Sequence, residues 1–158
     1  MKITNVTATV LRLPQISSAA DGTQDDLIIT VETDEGITGY GEVDTAPYVG
    51  KAVVDAYMSH GTCYGLREVV VGSDPFDYEQ IWNDMWAKTY YYGRSGPVMH
   101  VMSGIDMAIW DIMGKAVGKP VHKLLGGSYA DKVRAYASAL MPDTPDEVKK
   151  MTEKYVSL

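Results

Sequence analysis

Polar and apolar residues alternate over residues 3–13: Val6, Ala8 and Val10 fall on one side, Thr7, Thr9 and Leu11 on the other. That two-residue period predicts a half-buried strand, which Pro14 ends. Residues 15–26 are small, polar and acidic, and a loop of this length suits a lid over a binding site and a plain surface turn equally well. A second strand is predicted over 27–33 and a third over 37–43, joined by Asp34, Glu35 and Gly36, of which the glycine tolerates positive φ. Together they make an antiparallel meander. Gly39 and Gly41 share a face of the third strand, where the missing side chains would admit a helix or another backbone.

Between Pro47 and Gly72 the signal weakens, since Val49, Val53, Val54 and Tyr57 suit one helix face while Gly61 and Gly65 interrupt it. Ser73, Asp74 and Pro75 predict a helix start, because a short oxygen-bearing side chain caps free amides and proline is preset for the first turn. Tyr78, Ile81, Trp82, Met85 and Trp86 follow at helical spacing, with much aromatic surface to bury. A longer helix is predicted from Pro97, in phase through Val98, Val101, Met102, Ile105, Ile109, Ile112, Met113 and Ala116. Met99, Met107 and Trp110 widen its apolar surface, so it is expected to be core enclosed on several sides, until Gly118 and Pro120 stop it. Alternation returns over 132–138 and predicts another strand. Asp143, Thr144, Pro145, Asp146 and Glu147 then open a final helix whose apolar face carries Val148, Met151, Tyr155 and Val156. A domain boundary is expected near Asp131.

Composition narrows the class. The 158 residues carry 14 Lys and Arg against 21 Asp and Glu, a net charge of −7. Such an excess argues against nucleic acid and anionic membranes as partners, because that binding depends on basic side chains displacing counterions. Cys63 is the only cysteine, so no intrachain disulfide can form and a reducing, cytoplasmic location is expected. The N-terminus does not read as a secretory leader, and no run approaches the roughly 20 apolar residues of a membrane span, so a soluble protein is expected.

Candidate chemistry is sparse. His60, His100 and His122 are far apart, and His122, among Val121, Leu124 and Leu125, is expected to be a hydrogen-bonded structural residue. Asp25 and Asp26 read as solvated loop carboxylates. Asp106 and Asp111 lie about 140° apart around the helix axis, too far to converge on one ion. Asp111 precedes Lys115 by four residues, the orientation that favours a helix ion pair. Glu42 is expected to cap or ion-pair. No nucleophile elbow, phosphate-cradling loop or paired-histidine helix is present, and the residues alone name no active site.

Three stretches in order nevertheless carry a resemblance. They are Gly36, Ile37, Thr38, Gly39, Tyr40, Gly41, Glu42; then Gly72, Ser73, Asp74, Pro75; and then the run from Ser103, Gly104, Ile105, Asp106 through Trp110, Asp111, Gly114 and Lys115 to Pro120, Val121, Leu124, Leu125, Gly126 and Gly127. Over essentially its whole length the chain resembles the N-terminal domain of the enolase superfamily, in its mandelate racemase and muconate lactonising enzyme branch. The resemblance implies an α+β fold over residues 1–130, a three-stranded antiparallel meander packed on a helical bundle. That domain would cap the mouth of a TIM-type (β/α) barrel, whose first strand and helix would fall within 131–158. It further implies a homo-oligomer acting on a small carboxylate or sugar acid. A Lys or His base would remove the proton beside the carboxylate, and Mg²⁺ would stabilise the resulting enediolate.

In such enzymes the base lysines lie on the second barrel strand and the carboxylate ligands on the third to fifth, none of which this sequence reaches. Lys149, Lys150 and Lys154 are helix lysines and do not substitute. No catalytic or metal-binding residue, and no cofactor bound by this segment alone, is therefore expected. What the resemblance leaves to this domain is substrate selection, through the loop 15–26 and the loop 44–49 after Glu42. Tyr48 is the candidate for closing over a ligand, and Ser138, ending the first barrel strand, is the candidate for facing the mouth. Loop packing and strand termination explain these two residues equally well. The tyrosines before Arg94 and the pair Gly96, Pro97 lean toward acid-sugar dehydratases over cycloisomerases or dipeptide epimerases. A reading from another class is a free-standing capping module that binds or scaffolds without catalysis.

Overall fold

A computed structural model of the chain describes residues 1–18, 24–137, 142 and 144–157. The chain divides into two compact units, Met1–Gly127 and Ser128–Leu158. In the first, β1 (Ile3–Arg12), β2 (Asp25–Thr33) and β3 (Thr38–Val43) form an antiparallel sheet in the order β1-β2-β3. Val6 stands opposite Val31, Ala8 opposite Ile29, and Ile29 opposite Gly41. This register buries Ile3, Val6, Ala8, Leu27, Ile29, Val31 and Val43, and a slip of one residue would turn that set toward water, which is what fixes the pairing. Asp25 and Asp26 belong to β2 rather than to the loop before it. Pairing with Arg12 and Leu11 carries the ladder that far, and Asp26 accepts the Leu27 amide at 2.7 Å.

The weak stretch after β3 resolves into two short helices, α1 (Pro47–Asp55) and α2 (Leu66–Val70). Asp74 accepts the Phe76 amide at 3.0 Å and starts a 3-10 turn, Pro75–Asp77, that runs into α3 (Tyr78–Lys88). The long helix α4 (Pro97–Val117) ends at Gly118, whose φ of 64° lets its amide reach back to Gly114 and Lys115. A short α5 (Val121–Leu124) follows.

The packing of α4 on the sheet depends on residues without side chains. A Cβ at Gly39 would lie 2.0 Å from the Ala108 carbonyl oxygen, and one at Gly41 would lie 1.9 Å from that of Gly104. Gly104 in turn has no room for a methyl group, which would meet Val43 at 2.3 Å. The spacing matches because four helical residues rise about 6 Å and two strand residues about 6.7 Å, so one turn of α4 rides over each glycine step of β3. The buried face of α4 is the predicted one from Val98 to Met113, but the helix is not enclosed all round within this unit. Sheet, α1 and α3 cover one side and its flanks, leaving Met107 46% exposed and Ala116 at the surface. Trp86 on α3, also expected to be buried, is 38% exposed because only Ile81 and Met85 of that helix turn fully inward.

Both edges of the sheet are occupied by charged side chains from the helices. On the β1 edge, Lys51 donates to the Ala8 carbonyl at 3.0 Å and Arg67 to that of Val6 at 2.6 Å. Asp55 joins these two cations, 2.7 Å from Lys51 and hydrogen-bonded to Arg67. On the β3 edge, Asp111 accepts the Tyr40 amide at 3.0 Å and Lys115 donates to the Thr38 carbonyl at 2.7 Å. Asp111 and Lys115 form the expected i,i+4 pair at 2.6 Å, so the pair fastens α4 to the strand as well as to itself. Unpaired strand edges otherwise invite pairing with other chains.

In the second unit, α6 (Pro145–Val156) begins with a capping box: the Glu147 amide donates to the Thr144 hydroxyl at 3.4 Å and the Thr144 amide to the Glu147 carboxylate at 3.1 Å. The strand expected over 132–138 is not formed in its described part, 132–137. A strand exists through a ladder partner, and among the described residues none pairs here, leaving Val133 and Tyr136 each 88% exposed. Among the described residues no helix is long and apolar enough to cross a membrane.

Candidate substrate-selection site

Register places the two expected selecting loops together. Arg12, the last residue of β1, pairs with Asp25, the first of β2, and Leu27 pairs with Val43, the last of β3. The chain therefore leaves β1 and β3 at the same end of the sheet. The loop after β1 is pinned at its base, where the Leu13 amide donates to the Gln24 carbonyl at 2.9 Å and the Ser17 amide to the Gln24 side chain at 2.7 Å. Its residues 19–23 lie outside the described residues. Leu11, Leu13 and Ile16 are exposed around it.

After β3 the chain turns into α1 at Pro47, which sits in the first turn where its missing N–H is no loss. Gly50 lets this helix settle against the core, since a Cβ there would meet Leu27 at 2.6 Å. With Gly50 turned inward, Tyr48 and Val49 face out, and Tyr48 is 63% exposed. A phenol in this position can donate to and accept from the hydroxyls or carboxylate of a polar ligand. Ser138 lies outside the described residues. Glu42 is exposed and shows no side-chain hydrogen bond or ion pair to the described residues, contrary to the expectation of capping: after Gly41 the strand turns its side chain away from α4. The His122 side chain is likewise exposed and makes no hydrogen bond to the described residues, because the short α5 leaves it and Leu125 at the surface.

The tyrosine-rich connection between α3 and α4 is tied down at several points. Tyr92 donates to the Tyr64 carbonyl at 2.5 Å, and the Gly93 amide donates to Thr89 at 2.6 Å. Arg94 has a φ of 95°, a conformation non-glycine residues rarely adopt, and its guanidinium stacks 3.8 Å from the Tyr90 ring and 4.3 Å from that of Trp86. Tyr90 and Tyr91 remain exposed.

Residues 2–126 match the family model for the mandelate racemase / muconate lactonizing enzyme N-terminal domain. The chain belongs to that family. It is 41% identical over 134 residues to a D-galactonate dehydratase of Pectobacterium atrosepticum, covering 80% of this chain and 32% of the relative. It is 36% identical over 122 residues to an L-rhamnonate dehydratase of Saccharopolyspora erythraea, covering 77% and 29%. Among solved structures it is similar to a predicted mandelate racemase from Rhodobacter sphaeroides, with a TM-score of 0.84 and 32% identity over 99% of this chain and 40% of that one. The chain thus spans less than a third of the length of the curated relatives it matches. The enolase-type α+β capping architecture is that expected from the three sequence stretches.

Among the described residues no three His, Cys, Asp or Glu side chains are grouped so as to hold a metal ion. They do make one grouping that the sequence did not suggest. Tyr78, Glu79 and Trp82 of α3 and Asp106 and Trp110 of α4 line a cavity of about 280 Å³. Spacing along α4 relates Asp106 only to Asp111, whereas Glu79, which shares the cavity with it, comes from the neighbouring helix.

Proposed function

We propose that this chain is the substrate-selecting N-terminal part of an acid-sugar dehydratase, an enzyme that removes the proton beside the substrate carboxylate and expels a hydroxyl as water. The observation that carries this reading is the 41% identity to a D-galactonate dehydratase. It is supported by the shared sheet end from which the β1–β2 connection and the Tyr48 segment leave. The weakly acidic proton requires a fixed cation near the developing oxyanion, which Mg²⁺ supplies when bound. We assign the base and metal ligands to a barrel outside these residues, with residues 131–158 as its beginning and Ser138 facing its mouth. Tyr48 and the loop 15–26 then orient the sugar hydroxyls and exclude water. The enzyme would act as a cytoplasmic homo-oligomer.

The test is a panel of aldonates incubated with Mg²⁺ and the protein whose N-terminal part is this sequence, following formation of the 2-keto-3-deoxy acid. Keto-acid formation from at least one aldonate is expected. Binding of an aldonate with no product would favour the non-catalytic module, and racemisation without keto-acid formation would also overturn the dehydratase reading. With a substrate in hand, Tyr48→Ala should raise KM roughly tenfold with little change in kcat, as removal of a uniform binding contact does. An unchanged KM would remove Tyr48 from the site.

A further inference from the structure

The cavity between α3 and α4 combines features that point to one ligand chemistry. Three aromatic residues line it, Tyr78, Trp82 and Trp110, all partly buried against the core, with the Tyr78 and Trp110 rings 4.9 Å apart. Two carboxylates share the space, Glu79 and Asp106, and among the described residues neither is in an ion pair. Burial, and then the charge of Glu79, push the Asp106 carboxyl above the usual carboxylate range. Such a pair is relieved by a cation between its members.

The kind of cation follows from the walls. A divalent metal needs six or more oxygen ligands or a tightly held water shell, and aromatic faces supply neither. A guanidinium is planar and weakly hydrated, stacks on aromatic rings, and offers several N–H donors to carboxylates at once. The volume of about 280 Å³ exceeds that of the headgroup and leaves space for part of an alkyl stem. We propose that this cavity is a receptor for an alkylguanidinium group, with Glu79 and Asp106 accepting its N–H donors and Tyr78, Trp82 and Trp110 holding its apolar faces. The group can come from a free solute or from an arginine side chain of a second copy of this chain.

The experiment titrates the 158-residue chain with ethylguanidinium chloride and follows the three tryptophan indole N–H signals by NMR, with sodium chloride of equal ionic strength as control. Trp82 and Trp110 are expected to shift saturably, while Trp86, stacked on Arg94 and absent from the cavity lining, stays in place. Asp106→Asn and Glu79→Gln should each weaken binding roughly tenfold, as loss of one charge-assisted partner does. Because both side chains reach solvent, at least one variant should retain the wild-type fold. Sedimentation distinguishes the sources. Self-association that ethylguanidinium or Asp106→Asn abolishes identifies a second copy, whereas a concentration-independent monomer with saturable shifts identifies a free solute. Equal shifts with sodium chloride, or binding indifferent to both substitutions, would overturn the proposal.

Discussion

Gly41→Ala tests whether the close approach of α4 to β3 holds the domain together. The new Cβ would lie 1.9 Å from the Gly104 carbonyl oxygen, and carbon and oxygen not bonded to each other settle at about 3.3 Å, so the two backbones must separate by about 1.4 Å. Side-chain rearrangement cannot absorb this, because the obstacle is backbone on both sides. A gap of about 0.5–1 Å already forfeits a quarter to a half of the dispersion attraction between atoms, and α4 carries ten of the buried residues. Overpacking costs about 1–3 kcal/mol where neighbours can yield, and here the upper end, about 3 kcal/mol, is expected.

With a urea slope of about 2 kcal/mol per molar, Gly41→Ala should lower the midpoint by about 1.5 M without changing the slope. Gly36→Ala is the control. Its φ of 75° strains any L side chain, but nothing lies within 4 Å of the new methyl group. That change should cost about 1 kcal/mol and about 0.5 M. A Gly41→Ala midpoint within about 0.3 M of wild type, or a larger loss for Gly36→Ala, would refute the argument that missing side chains set the helix-to-sheet distance.

Asp111→Ala should lower stability by about 1–2 kcal/mol in urea titration, since it unpairs the Tyr40 amide and removes the ion pair to Lys115, which keeps only the Thr38 carbonyl. Asp106→Asn should raise the melting temperature at pH 7. The folded-state carboxyl is raised above its unfolded value of 3.8, so its favourable contribution is fully present below 3.8 and is lost as pH rises through the folded value. The advantage of the amide should therefore vanish near pH 3, and a constant difference across that range would exclude this cause. Thr144→Ala should weaken the start of α6 by about 1 kcal/mol, read as faster hydrogen exchange at the Glu147 amide.

Periodicity and punctuation disclosed the meander, the start and stop of α4 and the start of α6, because each depends on residues close together in sequence. Gly39 and Gly41 even announced a close approach on one face of β3. What the sequence could not disclose was the partner in each long-range contact. Asp111 and Lys115 were legible as a helix pair but not as the cover of the β3 edge. Glu42 and His122 looked partnered from their neighbours and are exposed, since local context does not say what lies across from a side chain. The alternation over 132–138 is real, yet a strand needs a second strand, and among the described residues none pairs with it.

The same reasoning separates two kinds of surface on this domain. At the sheet end carrying Tyr48 the chain exposes apolar and phenolic groups around a loop pinned at its base, an arrangement able to meet a polar ligand with little rearrangement of the core. At the α3–α4 cavity the aromatic residues are anchored in that core, and among the described residues neither carboxylate is in an ion pair. The first surface is the one proposed above to select the substrate. The second rests on Tyr78, Glu79, Trp82, Asp106 and Trp110, none of which lies in the Tyr48 segment, so an aldonate assay and a guanidinium titration can succeed or fail independently. Asp106→Asn should leave aldonate turnover intact while weakening guanidinium binding roughly tenfold, and Tyr48→Ala should raise the aldonate KM while leaving the indole shifts in place.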